Sequence, residues 1–189
     1  MDPLLINLAE QIETPRLILR VPGGGDGTLV YPSVRDSIDE LHVWMPWAKL
    51  DYSLDDAESW CRRTRADFHL RVQWQFIMLD RASGKHLGNV GAFKFNWDVP
   101  KTEIGYWLRT DATGQGLMTE AVRALTEQFL TVHGFQRIEI RCDEKNARSA
   151  RVAELSGYAL EARLRNDAHY GDGTLRDTRV YARAPQNAQ

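Results

Sequence analysis

Apolar positions along this chain fall into two rhythms, an alternation of period two and a stripe of helical spacing. The switches between them mark the elements. Residues 16–21 alternate as an early strand, and 23–27, Gly-Gly-Gly-Asp-Gly, read as a flexible turn. Helices are predicted over 33–46 and 54–70, the second opened by Ser53 as N-cap. Residues 73–79 and 87–95 form a strand pair joined by a turn at 82–85. On the next strand, 103–109, Glu103, Gly105 and Trp107 share one face, and Ile104, Tyr106 and Leu108 the other. A long amphipathic helix follows: Leu117, Ala121, Leu125 and Phe129 recur every four residues, Met118, Val122 and Leu130 widen the stripe, and Gly134 stands at the expected cap. A strand at 137–142, a short helix at 147–156 ending at Gly157, and strands at 158–165 and 175–184 complete the chain. The early strands are joined by hairpin-like links, whereas 103–142 needs a crossover. The predicted fold is therefore α/β: a mixed sheet of about seven mostly antiparallel strands, with a central parallel βαβ unit, helices on both faces, and a single domain over 1–189.

The strand–helix junction carries candidate chemistry. Gly114 and Gly116 leave the backbone uncrowded where the helix begins, and the first N–H groups of a helix lack intrahelical partners. They sit at the positive end of the helix dipole, which suits an anion such as a pyrophosphate. A Walker loop would need Lys after Gly116, and a dinucleotide fingerprint would need Gly at 119, where Thr stands. Both are disfavoured. Apolar content of 43% and charged content of 26% are those of an ordinary globular chain, and a net charge of −2 implies no global attraction to nucleic acid. Two cysteines, Cys61 and Cys142, make no disulfide framework and point to a reducing compartment, the cytoplasm. No apolar run is long enough to span a membrane, and no signal-peptide pattern opens the chain. The five histidines are isolated in sequence, so no metal site is expected.

The run TGQGLMTEA at 113–121 resembles the acetyl-CoA loop of the GNAT N-acetyltransferase superfamily. EIGYWL at 103–108, RIEIRC at 137–142, Asn146 with Ser149, LRN at 164–166 and ETPRLILR at 13–20 are similar to the RimJ/RimL-type protein N-terminal acetyltransferases. The resemblance covers nearly the whole chain. It implies acetyl-CoA or another acyl-CoA as co-substrate and a primary amine as acceptor: a protein N-terminus, a peptide or an aminoacyl compound. Alternatives are a detoxifying small-molecule acetyltransferase and a catalytically silent CoA-sensing module. Acceptor identity, acyl length and a homodimer are left open.

The same resemblance implies roles for residues. Main-chain groups of Trp107, Leu108 and Arg109 would pair with the pantetheine amides as an added strand. Backbone N–H groups of Thr113, Gly114, Gln115, Gly116, Leu117, Met118 and Thr119 would hold the pyrophosphate. Glu103 would serve as general base, directly or through water. Ser149 would protonate the leaving thiolate, and Asn146 would cap its helix and contact the pantetheine. Arg148 and Arg151 read as solvated helix-face residues, Met118 and Phe129 as core. Among the aromatic residues of the N-terminal half, Trp47 is the candidate acceptor contact, while Trp44, Trp60 and Trp74 read as packing. His169, Tyr170 and Asp172 lie in a polar link that could border the acceptor, and 171–174 lengthen that link.

Overall fold

The structure, a computed structural model, describes residues 2–169 and 173–185. Its strands are β1 (Gln11–Glu13), β2 (Leu17–Arg20), β3 (Trp74–Asp80), β4 (His86–Asn96), β5 (Lys101–Leu108), β6 (Arg137–Asp143), β7 (Ala159–His169) and β8 (Leu175–Arg183). Among the described residues these form one eight-stranded sheet in the order β1-β2-β3-β4-β5-β6-β8-β7. Only β5 and β6 are parallel; the other neighbours are antiparallel. The expectation of about seven strands falls one short. Residues 11–13 fold back on β2 as a short edge strand, because the Thr14 side chain and backbone both bond Leu17 and close a tight hairpin.

The helices are α1 (Gly27–Arg35), α2 (Ile38–Trp44), α3 (Leu54–His69), α4 (Leu117–Glu127) and α5 (Ala147–Leu155). The single helix expected over 33–46 is two, and the first begins much earlier. Pro32 lacks the N–H that would continue the ladder within α1, and Ser37 breaks the chain direction before α2. The glycine segment 23–27 is not a loose turn. Arg20 grips Asp26 through two bonds of 2.8 Å. Glu58 on α3 accepts the N–H groups of Gly25 and Gly27. A Cβ at Gly27 would lie 2.8 Å from the Glu58 backbone, so α1 and α3 cross closely only because that residue is glycine. This start signal is tertiary and leaves no local periodicity to read.

α4 buries Leu117, Met118, Ala121, Val122 and Leu125 against one face of the sheet, and Phe129 just beyond it continues the four-residue spacing. A full-sized apolar side chain buried there contributes about 1.5–3 kcal/mol. A π-helical turn, Gln128–Val132, continues it, and Gly134 at φ 67° ends it. α5 joins α4 on this face. On the opposite face α1, α2 and α3 pack over Ile77 and Trp107. Trp74 is fully buried on the α4 side, with its indole N–H on Ala9 O at 2.9 Å. It therefore packs the core, as expected.

Candidate active site

The β5–β6 ladder is short. It pairs Lys101, Thr102 and Glu103 with Arg137, Ile138 and Glu139, and no pairing continues beyond Glu103. On its other edge β5 stays bonded to β4 as far as Leu108 opposite Gly88. Past Glu103, β5 thus keeps one neighbour and turns an open backbone edge toward the gap. Because the strands part, residues from both faces of the sheet line one cavity of about 740 Å³. Glu103, Phe93 and Trp107 come from the α1–α3 face, and Tyr106, Cys142 and Ser149 from the α5 side.

At the end of the gap the chain passes Arg109 and a 3₁₀ turn, Thr110–Ala112, and reaches Thr113, Gly114, Gln115 and Gly116, all exposed. Gly114 and Gly116 take φ of 78° and 74°, and Gly116 is the N-cap of α4. A side chain would be strained at either position. The N–H groups of Leu117, Met118 and Thr119 precede the first intrahelical bond, Glu120 N to Gly116 O. Arg109 is fixed by Asp36, Asp111 and Ser33. Its guanidinium, with the Lys85 ammonium, holds the Asp111 carboxyl well below the usual range.

A brace that the sequence did not reveal stabilises this turn. Glu120 accepts from Thr14 Oγ1 at 2.6 Å, Arg16 N at 3.0 Å and Arg16 Nε at 2.6 Å, and Arg16 Nη1 reaches Gln115 O at 2.9 Å. Burial opposes ionisation of Glu120, but the bonds from Thr14 and Arg16 outweigh it and lower its pKa. The partners are about a hundred residues apart, so only the fold brings them together.

Glu103 lies within the cavity wall, its carboxylate bonded to Lys94 Nζ at 2.8 Å. Lys94 occupies a left-handed backbone conformation, φ 57°, where the β4–β5 register shifts. Across the gap, Asn146 caps α5 by accepting the Ser149 N–H at 3.0 Å. Ser149 Oγ donates to Tyr106 Oη at 3.2 Å, and Tyr106 Oη donates to Ser149 O at 3.0 Å. Tyr106 was missed as a site residue. Alternation puts it on the face opposite Glu103, but nothing local announces its partner on α5. Burial, partly offset by Ser149, pushes the phenol pKa up, and burial likewise raises the Cys142 thiol.

The wall on the α1–α3 side is aromatic. Trp47 is 41% exposed and packs its ring 6.0 Å from both Tyr52 and Trp107. Trp44 and Trp60, expected to be packing residues, also line the cavity. The Trp107 side chain is buried here, stacked edge-on over His86 at 5.7 Å. The Asn89 amide, oriented to satisfy its partners, donates to His86 Nε2 at 2.9 Å and accepts the Trp107 indole N–H at 3.2 Å. Arg148 and Arg151 are exposed, and Met118 and Phe129 are core. His169 ends β7 with Nδ1 3.1 Å from Gly173 O. Tyr170 and Asp172 lie outside the described residues, as does most of the long final link.

Comparison with known proteins bears on this arrangement. The Acetyltransferase (GNAT) domain family matches residues 16–159. Over 97 residues the chain is 35% identical to the ribosomal-protein-serine acetyltransferase of Escherichia coli (strain K12), a stretch covering 50% of this chain and 54% of that protein. The chain thus aligns with 54% to 61% of the length of the curated relatives it matches. A Vibrio cholerae structure described as a ribosomal-protein-serine acetyltransferase superposes at TM-score 0.79 and 25% identity, covering 93% of this chain and 97% of that one. RimL, a ribosomal L7/L12 alpha-N-protein acetyltransferase solved with coenzyme A, superposes at TM-score 0.86 over 93% of this chain and 98% of its own; at 20% identity the likeness is one of fold. The matched span takes in the parting strands, the glycine turn, α4 and α5, and the chain belongs to the GNAT acetyltransferase domain family.

Proposed function

We propose that the protein is an acetyl-CoA-dependent N-acetyltransferase acting on a primary amine, the α-amino group of a protein N-terminus or peptide, in the reducing cytoplasm. One observation carries this reading: a single cavity joins Glu103 on one face of the sheet to Ser149 on the other, through the gap between two parting strands. The open edge of β5 at Trp107 and Leu108 fits a pantetheine chain with amide groups to pair. The orphan N–H groups from Gly114 to Thr119 fit a pyrophosphate and need no cationic side chain, while Thr113 N donates to Thr110 O at 3.3 Å. When bound, acetyl-CoA supplies an activated acetyl thioester with a thiol leaving group. Glu103, directly or through a water, accepts the proton that the amine loses as its nitrogen bonds the acetyl carbon. Ser149 donates its hydroxyl proton to the sulfur as the C–S bond breaks. It regains a proton through cavity water from the Glu103 carboxyl, so the products are an amide and a thiol. Trp47 contacts the acceptor, and Asn146 holds Ser149 in place while facing the pantetheine.

The test is a calorimetric titration with CoA, then acetyl-CoA turnover against a panel of amines, with products identified by mass spectrometry. The panel includes a peptide with N-terminal serine. Saturable CoA binding and acetylation of a peptide amine are expected; no binding up to millimolar CoA sinks the proposal. A second reading has an aromatic or nucleotide-bearing small amine as acceptor, favoured by Trp44, Trp47 and Trp60 on the cavity wall. The same panel separates the two. A protein that binds CoA and acetylates nothing in it is a silent CoA-binding module.

A further inference from the structure

We propose that Tyr106 is a positioning residue for Ser149, its phenol hydroxyl holding the serine hydroxyl toward the gap where the thiol leaves. The inference rests on the acetyltransferase reading above and assigns a function to a residue that reading does not use. A serine in the first turn of a helix tends to bond back to the carbonyl one turn earlier or to turn outward to water. Ser149 does neither: its Oγ donates across the gap to Tyr106 Oη at 3.2 Å. The phenol returns a second bond, donating to Ser149 O at 3.0 Å. Two bonds of opposite polarity to one residue fix both the backbone and the rotamer of that serine, and so the register of α5 on β5. Both residues line the cavity.

The geometry of the phenol suits orientation: among the described residues its hydroxyl bonds only the Ser149 hydroxyl and backbone carbonyl. Burial raises its pKa, so Tyr106 carries its proton and has a hydrogen bond to donate. As Ser149 turns its one hydroxyl proton from Tyr106 Oη to the sulfur and gives it up, charge grows on Oγ. The phenol proton turns from the neighbouring carbonyl toward that oxygen without leaving Tyr106. Such a bond strengthens in the transition state and contributes to kcat rather than to CoA affinity.

The experiment compares wild type, Tyr106→Phe, Ser149→Ala and the double variant in single-turnover acetylation of a peptide with N-terminal serine, or of whichever panel amine wild type acetylates. CoA affinity and Tm are measured in parallel. Tyr106→Phe keeps the ring and its packing. It should lower the single-turnover rate roughly three- to tenfold, as loss of one hydrogen bond implies. CoA affinity should stay within about twofold, and the same change should cost nothing further in the Ser149→Ala background. An unchanged rate in Tyr106→Phe overturns the inference, as does an equal loss in both backgrounds, because a merely structural tyrosine acts independently of the serine hydroxyl. With wild type active, either result overturns the role of Tyr106 alone. A wild type that binds CoA and acetylates no amine overturns the acetyltransferase reading, and this inference with it.

Discussion

Glu103 and Tyr106 stand three residues apart on β5, yet they serve opposite sides of the sheet. The alternation of a strand separates them, and the early end of the β5–β6 ladder lets one cavity reach both. At the residue scale the proposed consequence is a division of labour that mutation can test. Glu103→Gln should lower kcat/KM for the amine most at neutral pH and least at high pH, where the free amine is already abundant. General-base assistance is worth roughly 10²–10⁴-fold. A pH–rate profile of both enzymes checks this; a uniform loss at every pH assigns Glu103 to positioning. The Lys94 ammonium, 65% exposed, adds little to that result, since an exposed partner is screened by water.

At the scale of elements, the glycine turn and α4 form the proposed anion site, one defined by conformation rather than charge. Gly116 at φ 74° and Gly84 at φ 71° are two left-handed glycines in very different places, one opening α4 and the other in the β3–β4 turn. Alanine in either position carries a similar strain, about 1–2 kcal/mol. Gly116→Ala and Gly84→Ala should therefore lose comparable stability by thermal melting, while only Gly116→Ala weakens CoA in calorimetry. Equal CoA affinities for the two variants would remove the turn from the binding site. The turn was legible because Gly-x-Gly before an amphipathic stripe is a local pattern. Its brace was not: Thr14, Arg16 and Glu120 meet through pairing of the N-terminal hairpin with the start of α4.

At the scale of the whole molecule, stability is tied to a buried histidine. His86 lies under Trp107 and accepts from Asn89, and burial lowers its pKa from 6.5 to about 4. In the unfolded chain the imidazole titrates near 6.5, so as pH falls the unfolded state binds this proton first. The contribution is present in full above about 6.5, and it is lost as pH falls from there to about 4. It is on the order of 3 kcal/mol. Tm measured from pH 7 down to pH 4.5 should fall less steeply in His86→Gln than in wild type, whatever the starting values; parallel slopes would contradict this. Burial lowers His133 as well, and that share of the slope remains in the variant.

The sequence by itself determined what local periodicity encodes: the α4 stripe, the faces of β5, the anion-suited turn, the N-cap of α5 at Asn146 and the one parallel crossover. All but the crossover depend on neighbours within a few residues, and the crossover follows from the length of the link between two predicted strands. Only the tertiary structure decided where α1 begins, because its start is set by Glu58 on α3 through bonds to Gly25 and Gly27 that carry no periodic signal. It likewise decided that β5 and β6 separate after Glu103, that Trp44 and Trp60 join Trp47 on the cavity wall, and that Tyr106 meets Ser149. These contacts join residues distant in the chain, and a pattern of period two or 3.6 assigns a side chain to a face without naming what it meets there.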